Sequence, residues 1–326
     1  MKTQPLVNTP LEVSRIAYGC MQIGGRWDST PLLDQTKRDA LAAIRTALEL
    51  GINFFDHADI YCRGKSEEVF SAIWQESPGL REKIILQTKC GIRLPGDPIG
   101  STFTRYDFSY EHLVNSVEGS LQRLKTDYLD ILLLHRPDAL VEPEEVARAF
   151  DALHHSGKVR FFGVSNHTAA QIVLLQKHLN QPLVANQLQL SLLHTHLLDE
   201  GIAANQDRPV RLIRGEGTLE YCRLHDITIQ AWAPLAGGAV VGNFGDRPTD
   251  AAAKVTTLVA ELAREKDVSR EAIAVAWLLR HPARIQPIVG TTKPDRIRAA
   301  CEADMVELTR EEWYQLFIAG RDDRLP

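Results

Sequence analysis

The chain has 326 residues, 44% hydrophobic and 24% charged, a balance that suits a soluble globular protein with a sizeable core. A formal net charge of −5 offers no basic face for nucleic acid, and no run reaches 18 consecutive apolar residues, so no membrane span is expected. Five widely spaced cysteines without a C-x-x-C pair, and an amino terminus without a signal-like apolar core, argue against a disulfide framework or zinc ribbon and for a reducing, cytoplasmic setting.

Residues 5–18 read as short strands broken by Asn8, Thr9 and Pro10, a β-hairpin, with the first core strand at 16–19. Apolar residues at Leu41, Ile44, Leu48 and Leu50 have helical spacing over 39–50, and Gly51 is the stop. The chain then enters the apolar run Ile52, Phe54, Phe55 and turns polar at Asp56. The same helix–strand unit recurs. Helices at 66–75, 110–124, 143–155, 169–179 and 217–225 precede strands at 84–88, 129–134, 159–164, 183–186 and 227–232. A helical stretch over 251–280, broken near 267–269, precedes the last strand at 285–289.

Alternation of this kind requires a parallel sheet with helical crossovers. The count reaches eight strands, no Pro- or Ser-rich linker divides the chain, and no G-x-G-x-x-G follows the first strand. We therefore expect a (β/α)8 TIM barrel with an N-terminal β-hairpin, one domain over residues 1–326.

In such a barrel the carboxyl ends of all strands meet at one rim. That rim collects Asp56 after strand two, Lys89 after strand three and His135 after strand four. Ser165 and Asn166 follow strand five, Gln187 strand six, and Trp232 and Pro234 strand seven; Tyr61 lies in the loop after strand two. Each has a plainer reading, as a core histidine, a surface lysine or a packing tryptophan. Together they suit a task. Tyrosine titrates near 10, too high for efficient proton donation at neutral pH unless an ammonium stabilises the phenolate. A carboxylate orients that ammonium, and an imidazole can bond a carbonyl oxygen.

The segments D-H-A-D-I-Y, S-E-E-V-F, Q-T-K and L-D-I-L-L-L-H-R-P-D resemble those of the aldo-keto reductases. So do G-K-V-R-F-F-G-V-S-N, the Gln187 strand end, W-A-P-L-A-G-G and G-T-T-K-P-D-R-I, in order from about residue 16 to 298. The wording is closest to a bacterial branch of predicted oxidoreductases. The resemblance implies an NAD(P)H-dependent reductase acting on a small-molecule carbonyl substrate. In it Tyr61 is the proton donor, Lys89 and Asp56 tune it, and His135 orients the carbonyl. Ser165, Asn166 and Gln187 match positions that hold the nicotinamide carboxamide, and Trp232 the aromatic stacked on its ring. Pro234, Leu235, Gly237 and Gly238 match the loop along the pyrophosphate. Gly290, Thr291, Lys293 and Arg296 match the adenosine end, where Arg296 aligns with an arginine against the 2′-phosphate, implying NADP over NAD.

The chain departs from the family pattern at His57, Cys62 and Ala233 on the rim, and at Ala300, where a residue touching adenine is usual. Residues 192–214 have no family counterpart. By exclusion, residues 23–30, 93–106, 192–214 and 318–326 are the substrate loops, with Trp27, Phe103 and Tyr106 as candidate walls. Two other readings compete: an NADP-binding redox sensor with little turnover, and a metal-dependent hydrolase built from His57, Asp59, His135, His194 and His196. The H-T-H lacks a partner carboxylate at a convincing spacing, so no metal is expected.

Overall fold

The computed structural model describes residues 1–202, 217–244 and 249–321. The amino-terminal hairpin joins β1 (Thr3–Pro5) to β2 (Glu12–Ser14), with Gln4 opposite Val13. It starts two residues earlier than the sequence pattern suggests. Then come β3 (Ala17–Gly19), α1 (Asp34–Glu49) and β4 (Phe54–Asp56). Gly51, with φ of +82°, lets the chain leave α1 where a side chain would be strained.

The helix expected over 66–75 is two short pieces, α2 (Lys65–Phe70) and α3 (Ile73–Glu76), and β5 (Ile85–Cys90) follows. A small antiparallel pair, β6 (Ile92–Arg93) and β7 (Arg105–Tyr106), precedes α4 (Tyr110–Leu124) and β8 (Leu129–Leu134). Next are α5 (Pro143–His155), β9 (Val159–Ser165), α6 (Ala169–Gln176), β10 (Leu183–Gln189), α7 (His196–Ile202), α8 (Thr218–Leu224) and β11 (Thr228–Trp232). The chain continues through α9 (Asp250–Glu265), α10 (Arg270–Leu279), β12 (Gln286–Val289), α11 (Pro294–Cys301) and α12 (Arg310–Ala319). The break between α9 and α10 has a local cause: Asp267 turns left-handed at φ of +53°, and the Ser269 hydroxyl caps α10 by accepting from Ala272 N–H.

Eight parallel strands close into a ring in the order β3-β4-β5-β8-β9-β10-β11-β12, with β12 returning to β3. This is the eight-fold barrel expected. The two-residue period of each strand sorts side chains into two cores. Phe54, Ile85, Ile131 and Leu133 point inward, joined by Leu6 and Val13 of the hairpin, which plug the barrel floor. Phe55, Leu86, Leu132 and Leu134 face the helices. No helix among the described residues is long and apolar enough to cross a membrane.

Candidate active site

The inward register that buries Phe54, Ile85 and Ile131 also delivers the site. Two residues beyond Phe54 is Asp56; four beyond Ile85 is Lys89; two beyond Leu133 is His135. Each emerges on the inner side at the carboxyl rim. Tyr61 reaches the same place from the turn before α2, where Cys62 and Arg63 adopt left-handed φ of 50° and 58°. Left-handed non-glycine residues are uncommon and concentrate at functional sites. Asn166 and Ala233, at φ of 60° and 52°, border the same cavity.

Lys89 is fully buried, and its ammonium uses all three donors. It bonds Asp56 Oδ2 at 2.8 Å, the His57 carbonyl at 2.8 Å and Tyr61 Oη at 3.0 Å. Burial works against that charge, but Asp56 and Tyr61 outweigh it and hold the lysine above its ordinary range. Burial pushes the Tyr61 phenol up, while the Lys89 ammonium pulls it back. The net direction is upward, not the lowering expected from the lysine alone; the phenol thus keeps its proton at neutral pH. His135 lies edge-on to Tyr61, with ring centroids 5.8 Å apart. Burial, then the charges of Lys89 and Arg136, push its pKa well down, so the imidazole is neutral.

Asp56 is held from below as well. Its Oδ1 accepts from Gln87 Nε2 at 2.6 Å and from Gln187 Nε2 at 3.0 Å, and both amides also bond Gln230 Oε1. Gln187 therefore lines the cavity with its amide N–H groups engaged toward the barrel interior. Gln87 and Gln230 escaped the sequence reading. The usable signal was a polar residue at an inward position of an otherwise apolar strand, two residues before Lys89 and Trp232.

A cavity of ≈ 550 Å³ runs from this cluster along the rim. Its walls include Asp56, Tyr61, His135, Ser165, Asn166, Gln187, Trp232, Pro234, Leu235, Gly237, Gly238, Gly290, Thr291 and Arg296. Lys89 lies beneath the floor, and Lys293 is exposed outside the wall. Ala300 lines the cavity, and Arg136, Asn243 and Glu271 contribute to it without having been foreseen. The Ser165–Asn166–Trp232 wall is internally tied: Asn166 Nδ2 donates to Ser165 Oγ at 2.8 Å, and Trp232 Nε1 donates to Asn166 Oδ1 at 3.1 Å.

These residues fit a nicotinamide dinucleotide. At Gly237 the backbone is left-handed, and nothing lies within 4 Å of where a Cβ would stand, so a ligand can approach the main chain directly. Amides and a flat indole stand near the tyrosine, and the Arg296 guanidinium stands on the wall that follows β12.

The histidines read as metal ligands are separated. His57 turns away from the rim and packs edge-on against Phe70 at 4.7 Å, with burial depressing its pKa to about 3. His194 and His196 pack on each other at 4.6 Å. Among the described residues no group of three or more His, Cys, Asp or Glu could hold a metal ion. Of the expected substrate loops, residues 203–214 and 322–326 lie outside the described residues. Trp27 lines the cavity and meets Tyr61 edge-on at 6.3 Å, whereas Phe103 and Tyr106 are exposed and are not part of its wall.

The Aldo/keto reductase family model matches residues 15–319. A 6-dehydroglucose reductase of Agrobacterium fabrum is 38% identical over 309 residues, covering 94% of each chain. An uncharacterised oxidoreductase of Bacillus subtilis is 38% identical over 319 residues, covering 97% of each. Among solved structures, a thermostable aldo-keto reductase crystallised with the inhibitor epalrestat superposes with a TM-score of 0.78 at 22% identity, over 98% of this chain and 100% of that one.

Proposed function

The chain belongs to the aldo/keto reductase family of carbonyl-reducing oxidoreductases, and from that premise we propose that it reduces an aldehyde or ketone with NADPH, Tyr61 acting as general acid. The observation that carries this reading is the buried ammonium of Lys89, bonded at once to Tyr61 Oη and Asp56 Oδ2 on the floor of the cavity. The match over 15–319 supports reading the chain as one oxidoreductase domain. Relatives named as reductases and oxidoreductases favour turnover over sensing.

When bound, reduced nicotinamide supplies the hydride. Everything else falls to the chain. His135, neutral and beside Tyr61, donates a hydrogen bond to the carbonyl oxygen and aims it. Tyr61 delivers its proton to that oxygen as charge develops there. Lys89 stabilises the phenolate left behind, and Asp56 keeps Lys89 charged and fixed. Ser165, Asn166 and Gln187 would hold the carboxamide, Trp232 would offer its flat face to the ring, and the loop 234–238 would line the pyrophosphate. Arg296 would pair with the 2′-phosphate and so favour NADPH over NADH. The name of the Agrobacterium relative puts sugar aldehydes among the compounds to try.

The test is Tyr61→Phe, which removes one hydroxyl and keeps the ring. Loss of general acid catalysis should slow single-turnover aldehyde reduction by roughly two to four orders of magnitude. NADPH affinity, read by fluorescence, should hold within about twofold, since no cofactor contact is assigned to that hydroxyl. A variant that reduces aldehyde as fast as the unmodified protein would show that the acid lies elsewhere.

A further inference from the structure

The cavity wall carries one positive charge that the reductase chemistry does not use. Arg136 follows His135 at the end of β8, is half-buried, and lines the cavity. Its guanidinium lies 5.6 Å from the Trp232 ring centroid. Among the described residues it makes no hydrogen bond and no ion pair. Asp138, two residues on, is engaged elsewhere, accepting from the backbone N–H groups of Phe108 at 3.0 Å and Leu140 at 2.9 Å. A guanidinium is charged at any accessible pH, and this one lines the cavity with its donors unclaimed by any described residue.

In the reductase reading, the cofactor's 2′-phosphate would pair with Arg296 on another part of the wall. In the ring of eight strands, β8 stands four places from β12, diametrically across the barrel from the Gly290–Arg296 segment. It stands three places from β11, yet the guanidinium reaches across the mouth to Trp232 at the end of that strand, nearer the nicotinamide end of that reading than the 2′-phosphate end. Arg136 shares its part of the wall with His135 and, through β5 and β4, with Tyr61. The lining also includes the apolar and aromatic side chains Trp27, Ile60 and Ile92.

We propose that Arg136 is an anion anchor for the substrate, so that the carbonyl compounds this cavity favours carry a carboxylate or a phosphate ester. The guanidinium fork grips the anion while the carbonyl lies between Tyr61 and His135. The inference rests on the reductase reading for the reaction, but the anion site itself is separable from it.

Matched pairs test it: succinic semialdehyde against butanal, and glyceraldehyde 3-phosphate against glyceraldehyde. The two pairs also tell carboxylate from phosphate. A charge-assisted contact predicts that kcat/KM favours at least one anionic member by about tenfold to a hundredfold. Arg136→Met should bring that ratio close to one, and Arg136→Lys, which keeps charge without the fork, should restore part of it. Equal rates within both pairs, or a preference that survives Arg136→Met, would overturn the anchor and leave the reductase reading intact.

Binding to the cofactor-free protein gives a readout without turnover. In saturation-transfer NMR, butyrate should contact the protein and butanamide should not. The butyrate signal should vanish in Arg136→Met and persist in Arg296→Ala. If no aldehyde is reduced but this pattern holds, the anion site stands and the reductase reading fails. No butyrate contact, or contact indifferent to Arg136, would overturn the anchor.

Discussion

At the scale of single residues, the site was legible where chemistry and position coincide. Asp56, Lys89 and His135 each combine an ionisable side chain with the carboxyl end of an apolar strand, and strand periodicity brings all three to one rim. Arg296 is legible only through resemblance, since an arginine on a helix reads as a solvated face; it is exposed, yet lines the cavity. If it meets the 2′-phosphate, Arg296→Ala should weaken NADPH binding by about one to two decades and leave NADH binding nearly unchanged. Titration of the two cofactors by fluorescence checks this, and an unaltered NADPH to NADH ratio would remove Arg296 from the role. Lys293 was expected to help, but it stands outside the wall, so the effect should rest on the one arginine. The direction of the Tyr61 shift was not legible, because it is set by burial, which only the packed loop reveals.

At the scale of elements, helix and strand identities followed from periodicity, while some boundaries were set by contacts that periodicity does not carry. The 66–75 helix divides at Ser71 and Ala72, where the Ser71 hydroxyl donates to the Glu68 carbonyl, and its first turn is tied inward. Glu67, fully buried on α2, accepts from Thr88 Oγ1 of β5 at 2.7 Å and pairs with Arg123 of α4 at 2.8 Å. The pair β6–β7 escaped the reading because two-residue ladders are made by tertiary fit. The Glu67 network also encloses Asp59, two residues before Tyr61. Burial and then the Glu67 charge push the Asp59 carboxyl up to about 8, against the pull of Arg123, the Ser116 hydroxyl and the Ile60 N–H. The sign follows directly. Between the ordinary aspartate value of about 4 and about 8, the folded chain holds this proton and the unfolded chain does not. This group's contribution therefore falls as pH rises through that window and is flat above it. Asp59→Asn removes the titration, so its melting temperature relative to the unmodified protein should climb from pH 5 to pH 8 and level off beyond. A constant difference across that range would mean that Asp59 ionises normally.

At the scale of the whole molecule, the candidate active site is the top of a polar column that runs down an otherwise apolar barrel. From Lys89 and Asp56 it descends through Gln87 and Gln187 to Gln230, and Gln230 Nε2 donates to Gln286 Oε1 at 3.0 Å. Gln286 Nε2 then donates to the Ser14 carbonyl at 2.9 Å, in the hairpin that plugs the floor. Every amide N–H2 of the column finds an acceptor, although Gln87 Oε1 is buried without a donor, and removing one member exposes the others to the cost of further unmet hydrogen bonds. Gln230 is the junction, contacting three other glutamines. Gln230→Leu keeps approximate volume while stranding an N–H on Gln87 and on Gln187 and a carbonyl on Gln286. At about 1–3 kcal/mol for each buried unsatisfied group, urea unfolding should register a loss of several kcal/mol. The effect should also reach the chemistry, because Gln87 and Gln187 hold the carboxylate that holds Lys89. Gln286→Leu, one step further from Asp56, should cost stability with a smaller fall in kcat. If Gln230→Leu is as stable as the unmodified protein, the column is a row of independent pairs. If both variants lower kcat equally, the link from floor to site carries no positional information about Asp56.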